Sequence, residues 1–469
     1  MSAAPALSDR PFLDQAAAED AARFLEQALC EHARRDQPLV VVLPAPDWSV
    51  EAGAAALPPG DGVLWSARGT ALIRDIATSG RALRLAVDGD GLPAVSERAE
   101  ALWRGLRVVR HPAAAEFVPF LIGGLAFAPG AAHGAWAPFG AGHFDLPRWT
   151  YSPGALALAI DGTPGEGTDW AGVLRGIAAR RAATPLPFPG ASLRVVAREG
   201  LDRAAWRALV DEIRGGIDAG SFEKIVLARR EIVSAAERID ACAVFARLAR
   251  AGGDGPSFRF CFREGGAAFV GLSPEPLVEI DGFGVTTEAV AGSARRGGGS
   301  GGDAGPLLES AKDRAEHAIV VEAIRKRLAP LCDELVVAAE PAVRRLAHVS
   351  HLVTAVRGRL KRPTAPLDLV ELLHPTPSVG GDPSGAALRF LGAREPAARG
   401  WYAGPVGWTD LAGRAQFAVG IRSALLEGPR AHLYAGAGIV RASDPDAEFE
   451  ETAVKLRTLL DALGLEPRP

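Results

Sequence analysis

Five carboxylates fall within eight residues at Asp444, Asp446, Glu448, Glu450 and Glu451, in the stretch DPDAEFEETAVKLR directly after a glycine-rich apolar run. Asp444 followed by Pro445 predicts a helix start, with Asp444 as N-cap and proline in the first turn. On such a helix Glu448 and Glu451 share a face, and Lys455 lies one turn beyond Glu451. A second stretch, SAKDRAEHAIVVEAIRKRL at residues 310–328, repeats the three-residue spacing with Asp313 and Glu316 behind a capping serine. Glu316 heads a stripe through Ile319, Val320, Ala323 and Ile324, so its carboxylate is expected over a buried face, where it needs a cation for company. For the first segment, an acidic first turn that merely complements the helix dipole, with Glu451 and Lys455 as a surface pair, is the plainer alternative. Were the two helix starts to converge, they would offer the all-oxygen donor set that magnesium accepts.

The elements that must position these acids read as a mixture. Helical spacing covers residues 13–35 and 202–219, whereas FRFCF, AAFVGL, DELVVAAE and HLYAGAGIV read as strands. FRFCFREGGAAFVGL predicts a hairpin closed at Gly265 and Gly266. There is no strict strand-helix-strand rhythm, which points to an α+β fold with mixed or antiparallel sheets. The glycine-rich segment 297–305 is expected as a surface loop. No GxxxxGK[ST] frames it as a phosphate cradle. A soft boundary near residue 195 divides an N-terminal part, 1–195, from a region, 196–469, that holds nearly all the recognisable chemistry.

Composition removes several classes of function. The 52 Lys and Arg against 56 Asp and Glu leave a net charge of −4, which gives no global pull toward nucleic acid or an anionic membrane surface. Cys30, Cys242, Cys261 and Cys332 are scattered without CxxC spacing, as expected of reduced thiols rather than a disulfide framework or zinc site. No basic-then-apolar leader opens the chain and no run reaches transmembrane length, so a cytoplasmic protein acting on a small molecule is expected.

The motifs FEKIVLARR, GLSPEPLVEI, AVAGSARRG, KDRAEH, HVSHLVT, HPTPSVGG, WYAGPVGW, AGAGIV and EFEETAVKL occur in one order across residues 200–464. In this the chain resembles the chorismate-utilising enzymes, a family of isochorismate, salicylate, anthranilate and aminodeoxychorismate synthases, and among them the isochorismate synthases most. The N-terminal part is similar mainly through FLIGGLAFAPG. The resemblance implies two large, mostly antiparallel β-sheets packed face to face with helices outside. It also implies a reaction, in which water adds to C2 of chorismate, the ring double bonds shift and the C4 hydroxyl leaves.

By that resemblance Lys224 is the base, acting as the neutral amine, and Glu275 the acid, which must stay protonated. Read without the family, Lys224 is a lysine snorkelling at a strand edge and Glu275 part of an ordinary turn. Glu316 and Glu451 match the family's magnesium ligands, with Asp313 and Glu448 in supporting or water-mediated positions. Arg422 matches its carboxylate-binding arginine, and Gly292, Ser293, His374, Tyr402, Gly438 and Lys455 match other substrate contacts. For His374, a cap on the LVELLH helix is the alternative.

Two residues bear on which relative is closest. Ala291 stands where aminodeoxychorismate synthases commonly carry a nucleophilic lysine, and Lys224 stands where anthranilate synthases usually lack one. Water is therefore the expected nucleophile, and no glutaminase subunit is implied. Salicylate synthase, which goes on to eliminate pyruvate, and a non-catalytic chorismate- or metal-binding protein both stay open at this point. Siderophore, salicylate and menaquinone routes would all accept the product. Glu288 departs from the family's frequent proline before AGS. A monomer accords with a chain of this length.

Overall fold

The computed structural model describes residues 15–34, 37–89, 91–161, 169–183, 193–295 and 304–465. Most of the glycine-rich segment 297–305 lies outside them; its last two residues, 304 and 305, begin the helix Ala304–Glu309.

The hairpin predicted from sequence closes where expected. Ser257–Glu264 pairs antiparallel with Ala267–Ser273, and Gly265 and Gly266 take φ of 56° and 82°, a turn whose twist matches the flanking strands. Phe258, Phe260 and Phe262 alternate with Cys261 along the first strand. The phenylalanines enter one core with Trp408 and Phe417, while Cys261 enters a second with Leu64 and Val270. Period-two alternation thus assigns the two faces of this strand to two different cores.

Strand pairing is antiparallel among the described residues except where Leu39–Pro44 runs beside Arg107–Arg110. The pairing divides at Gly142–Ser152. This strand holds Asp75–Ala86 along one edge; along the other it holds first Phe120–Leu125 and then Ala155–Ile160. One arm continues through Gly62–Arg68, the hairpin, Ser423–Glu427 and Arg430–Ile439 to Lys224–Ala235. The other continues through Pro405–Asp410, Ala415–Val419, Pro276–Asp281 and Gly284–Arg295 to Val349–Leu360. The first core is shared by the two arms, and the second lies between the first arm and the helices Gln15–His32, Val50–Ala56, Ala241–Leu248 and Pro445–Leu463. The α+β class and the layered antiparallel sheets match the expectation from sequence. Strands from both sides of residue 195 pair with each other, as Phe120–Leu125 does with Pro405–Asp410.

Candidate active site

Three chain crossings build the site. Lys224 begins a strand whose antiparallel partner, Arg430–Ile439, runs directly into the C-terminal acidic helix, with Gly438 opposite Val226. Glu275 occupies the break between Ala267–Ser273 and Pro276–Asp281; Val419 N–H donates to its carbonyl at 3.1 Å. Gly284–Arg295 carries a register shift at Gly292, where φ is 75° and an added Cβ would lie 3.0 Å from Asp313 Cβ. Only glycine lets the helix Ala311–Leu328 start this close to the strand.

Both helices begin as the sequence predicts. Ser310 accepts from Asp313 N–H, Asp444 accepts from Ala447 N–H at 2.9 Å, and Pro445 occupies the first turn. The buried face of the first helix is Glu316, Val320, Ile324 and Leu328, joined by His317. The two helix starts meet, because Lys312 on one forms an ion pair with Glu448 on the other. Glu450 and Asp446 face outward to Arg203 and Arg207.

Glu275, Gly292, Ser293, Glu316, Tyr402, Arg422, Gly438 and Lys455, from seven separate stretches of the chain, line one cavity. Lys224, wholly buried, stands just behind Glu316 and Gly438, with Nζ 2.9 Å from Glu316 Oε1. The angle of that ion pair falls outside hydrogen-bond geometry. A Cβ on Gly438 would lie 2.1 Å from Glu316 Oε1 and 3.0 Å from Lys224 Cε, so a bare α-carbon is what admits the pair.

His374 does not reach the cavity. It ends the helix Pro366–Leu373, its N–H donating to Val370 O and its Nε2 donating to Phe127 O at 2.9 Å. Burial pushes the ring down to about 4, which keeps it neutral for that bond. The capping alternative describes it, and the family match does not carry this residue into the site. Glu288, the departure from the family pattern, accepts from Arg344 at 2.9 Å.

Charge in the site follows from burial and three lysines. Burial alone raises Glu316, but Lys224, Lys455 and Lys312 hold it below the ordinary carboxylate range. Glu451 pairs with Lys455 at 2.6 Å. Glu448 is raised by burial and then by Glu451, against the pull of Lys312. Asp313, also raised by burial, accepts from Ser293 N–H at 3.2 Å. Glu275 is pushed up to about 7, chiefly by burial, with Ser378, Lys224 and Lys455 opposing. A carboxyl of that kind still carries its proton near neutrality and can donate it.

The four acids of the two helix starts are hard oxygen donors with more negative charge than they can share comfortably, as the raised Glu448 shows. That suits a divalent ion such as magnesium. With each glutamate turned to its own lysine, no three of these acids bring oxygens within 4.8 Å of one another. His143, Asp145 and Glu264 do so elsewhere, but Arg84 spans both of those carboxylates at 2.7–3.2 Å, which makes that group an ion-pair network.

Four polar lining residues were not legible in the sequence: His351, Ser378, Arg399 and Tyr434. Arg422 donates to His351 Nε2 at 2.9 Å, which leaves the ring proton on Nδ1, facing Gly292 O and Ser293 Oγ. Burial and then Arg422 hold His351 well below its ordinary value, so it stays neutral and fixes the guanidinium. Arg399 grips Glu395 bidentately and donates to the carbonyls of Val379 and Val226, tying three segments of the wall together. Tyr434 stacks on Tyr402 with centroids 5.0 Å apart.

Known proteins share this layered α+β fold. The family profile described as "Chorismate binding enzyme" matches residues 30–464, and the chain belongs to that family. It is 36% identical over 358 residues to the protein named isochorismate synthase MenF of Bacillus subtilis, covering 75% of this chain and 76% of that one. It is 42% identical over 266 residues to the salicylate biosynthesis isochorismate synthase of Pseudomonas aeruginosa, covering 56% and 55%. The solved structure of MenF, the menaquinone-specific isochorismate synthase from Escherichia coli, superposes with a TM-score of 0.76 at 25% identity, covering 95% of this chain and all of that one.

Proposed function

We propose that this chain is an isochorismate synthase in which Glu275 and Lys224 divide the acid and base work. The observation that carries the reading is Glu275, a buried carboxyl on the cavity wall that is raised to about 7. In this reading Lys224 gives up its ion pair with Glu316 and works as the neutral amine: it takes the proton of the water that adds at C2, the ring double bonds shift, and Glu275 gives its proton to the departing C4 hydroxyl. Arg422, held by His351, is suited to a substrate carboxylate. Ala291 lines the wall without an amine to compete with water, and a reaction of water calls for no glutaminase partner.

Magnesium is the proposed metal, with Glu316 and Glu451 to hold it and Asp313 and Glu448 behind them. Bound there, it would neutralise the carboxylates and anchor the ring carboxylate of chorismate. The names of the relatives point to menaquinone or salicylate routes as consumers of the product. A cytoplasmic location is proposed on composition; among the described residues no helix is long and apolar enough to cross a membrane.

The test is incubation of the protein with chorismate and magnesium, resolving isochorismate, salicylate plus pyruvate, and anthranilate. Isochorismate alone is expected, and Lys224→Ala is expected to abolish it with the circular dichroism spectrum retained. Pyruvate released together with salicylate would overturn the assignment in favour of a salicylate synthase. Normal turnover by the variant would remove Lys224 from the mechanism.

A further inference from the structure

Ser378 Oγ donates to Glu275 Oε1 at 2.5 Å, and Thr376 Oγ1 lies 2.5 Å from Ser378 Oγ. Ser378 lines the cavity beside Glu275, while Thr376 is buried behind it. A serine hydroxyl has a single proton. If Ser378 spends its proton on Glu275, the hydrogen bond to Thr376 must run the other way, from Thr376 to Ser378. With Ser378 donating to Oε1, the chain runs from Thr376 to Ser378 and from Ser378 to Glu275 Oε1. Because Oε1 is engaged as an acceptor, the proton of the neutral acid resides on Oε2.

We infer that Ser378, oriented by Thr376, is a positioning residue that fixes which oxygen of Glu275 bears the transferable proton and so aims the acid at the leaving hydroxyl. This rests on the acid role proposed for Glu275. The backbone supports the same orientation, since Glu275 N–H donates to Ser273 Oγ at 3.2 Å and the Glu275 carbonyl accepts from Val419. With both backbone groups engaged, the side-chain torsions remain, and the Ser378 hydrogen bond holds the carboxyl at their end. The charged and titratable groups around Glu275 are Lys224, Lys455, Glu288, Arg422 and Tyr402. Among the described residues none of these groups hydrogen-bonds its carboxylate; Ser378 does.

The inference has a signature that a merely structural role lacks. A donated hydrogen bond favours the ionised carboxylate over the neutral acid, so its loss moves the titration of Glu275 upward. Ser378→Ala therefore makes the acid easier to keep protonated yet a poorer catalyst. We expect kcat to fall about 10- to 100-fold, part of the effect general acids supply. KM should stay within about threefold, and the alkaline limb of kcat should move up by about one pH unit. Ser378→Thr, which keeps the hydroxyl, should restore both. Thr376→Val should reproduce the loss of kcat in milder form.

Infrared difference spectroscopy of the protonated carboxyl band, with Glu275→Gln as reference, follows the same titration without turnover. An upward move of that band in Ser378→Ala supports the inference even if the wild type makes a product other than isochorismate, an outcome that would sink the functional reading alone. An unmoved band, or a loss of kcat that Ser378→Thr fails to restore while the pH limb stays in place, overturns the positioning role.

Discussion

Gly438→Ala separates the geometry of this site from its stability. The added Cβ would lie 2.1 Å from Glu316 Oε1, and such contacts do not occur below 3.0 Å, so the carboxylate must retreat by about 0.9 Å. The atom in the way is the tip of a flexible side chain, and Gly438 is not among the positive-φ glycines, so the strand Arg430–Ile439 can keep its course. Retreat of Glu316 loosens its 2.9 Å contact with Lys224 and shifts an oxygen of the proposed metal site. A misplacement of about 1 Å at reacting groups costs on the order of 100-fold in rate. That is about 2.7 kcal/mol in the barrier. The expected result is a loss of about 100-fold in kcat/KM for isochorismate formation, with a thermal midpoint within a few degrees of the wild type. Chorismate turnover at the wild-type rate by a folded Gly438→Ala protein would refute the reasoning, since Glu316 would then be free to move without consequence.

Three further outcomes follow from the same site and its surroundings. Activity should decline as pH rises through about 7, where Glu275 loses its proton; an alkaline limb that persists unchanged in Glu275→Asp would assign the titration elsewhere. The stability of wild type relative to Glu275→Gln should depend on pH in a defined direction. The folded value lies above the ordinary 4.5, so the extra stability of the protonated acid is fully present below about 4.5 and is lost as pH rises through about 7. At pH 8 the glutamine variant should therefore gain about 3 kcal/mol relative to wild type compared with pH 4, measured by denaturant unfolding. Arg399→Ala should cost about 3–5 kcal/mol, because it strands the buried Glu395 and releases two carbonyls. Arg399→Lys should not rescue it, since an ammonium cannot reproduce the planar fork; full rescue would show that charge alone suffices.

Much of this protein is written locally. The hairpin turn at Gly265 and Gly266, the caps at Ser310 and Asp444 and the proline in the last helix depend on neighbours within a few residues, and each stands where its sequence places it. The acidic helix starts were legible for the same reason, because a three-residue spacing sets a helix face without help from the rest of the chain. His351 was not legible. It sits in Val349–Leu360, whose first six residues are all buried, so no alternation marks the face that meets the cavity. Ser378 lies in a proline-rich turn where its type is unremarkable. Its value comes from Glu275, 103 residues away.

The motif order pointed to the family and singled out Glu275, Lys224 and the four helix-start carboxylates. Only the folded arrangement decided how they are used. It put Lys224 behind Glu316 rather than on the open wall, paired each glutamate with a lysine, turned His374 toward Phe127 and brought in His351, Arg399 and Ser378. Residue type and local spacing encode what a side chain can do. Which partner it meets, and how much water it loses, depends on strands and helices that join only when the two arms of the sheet close on each other.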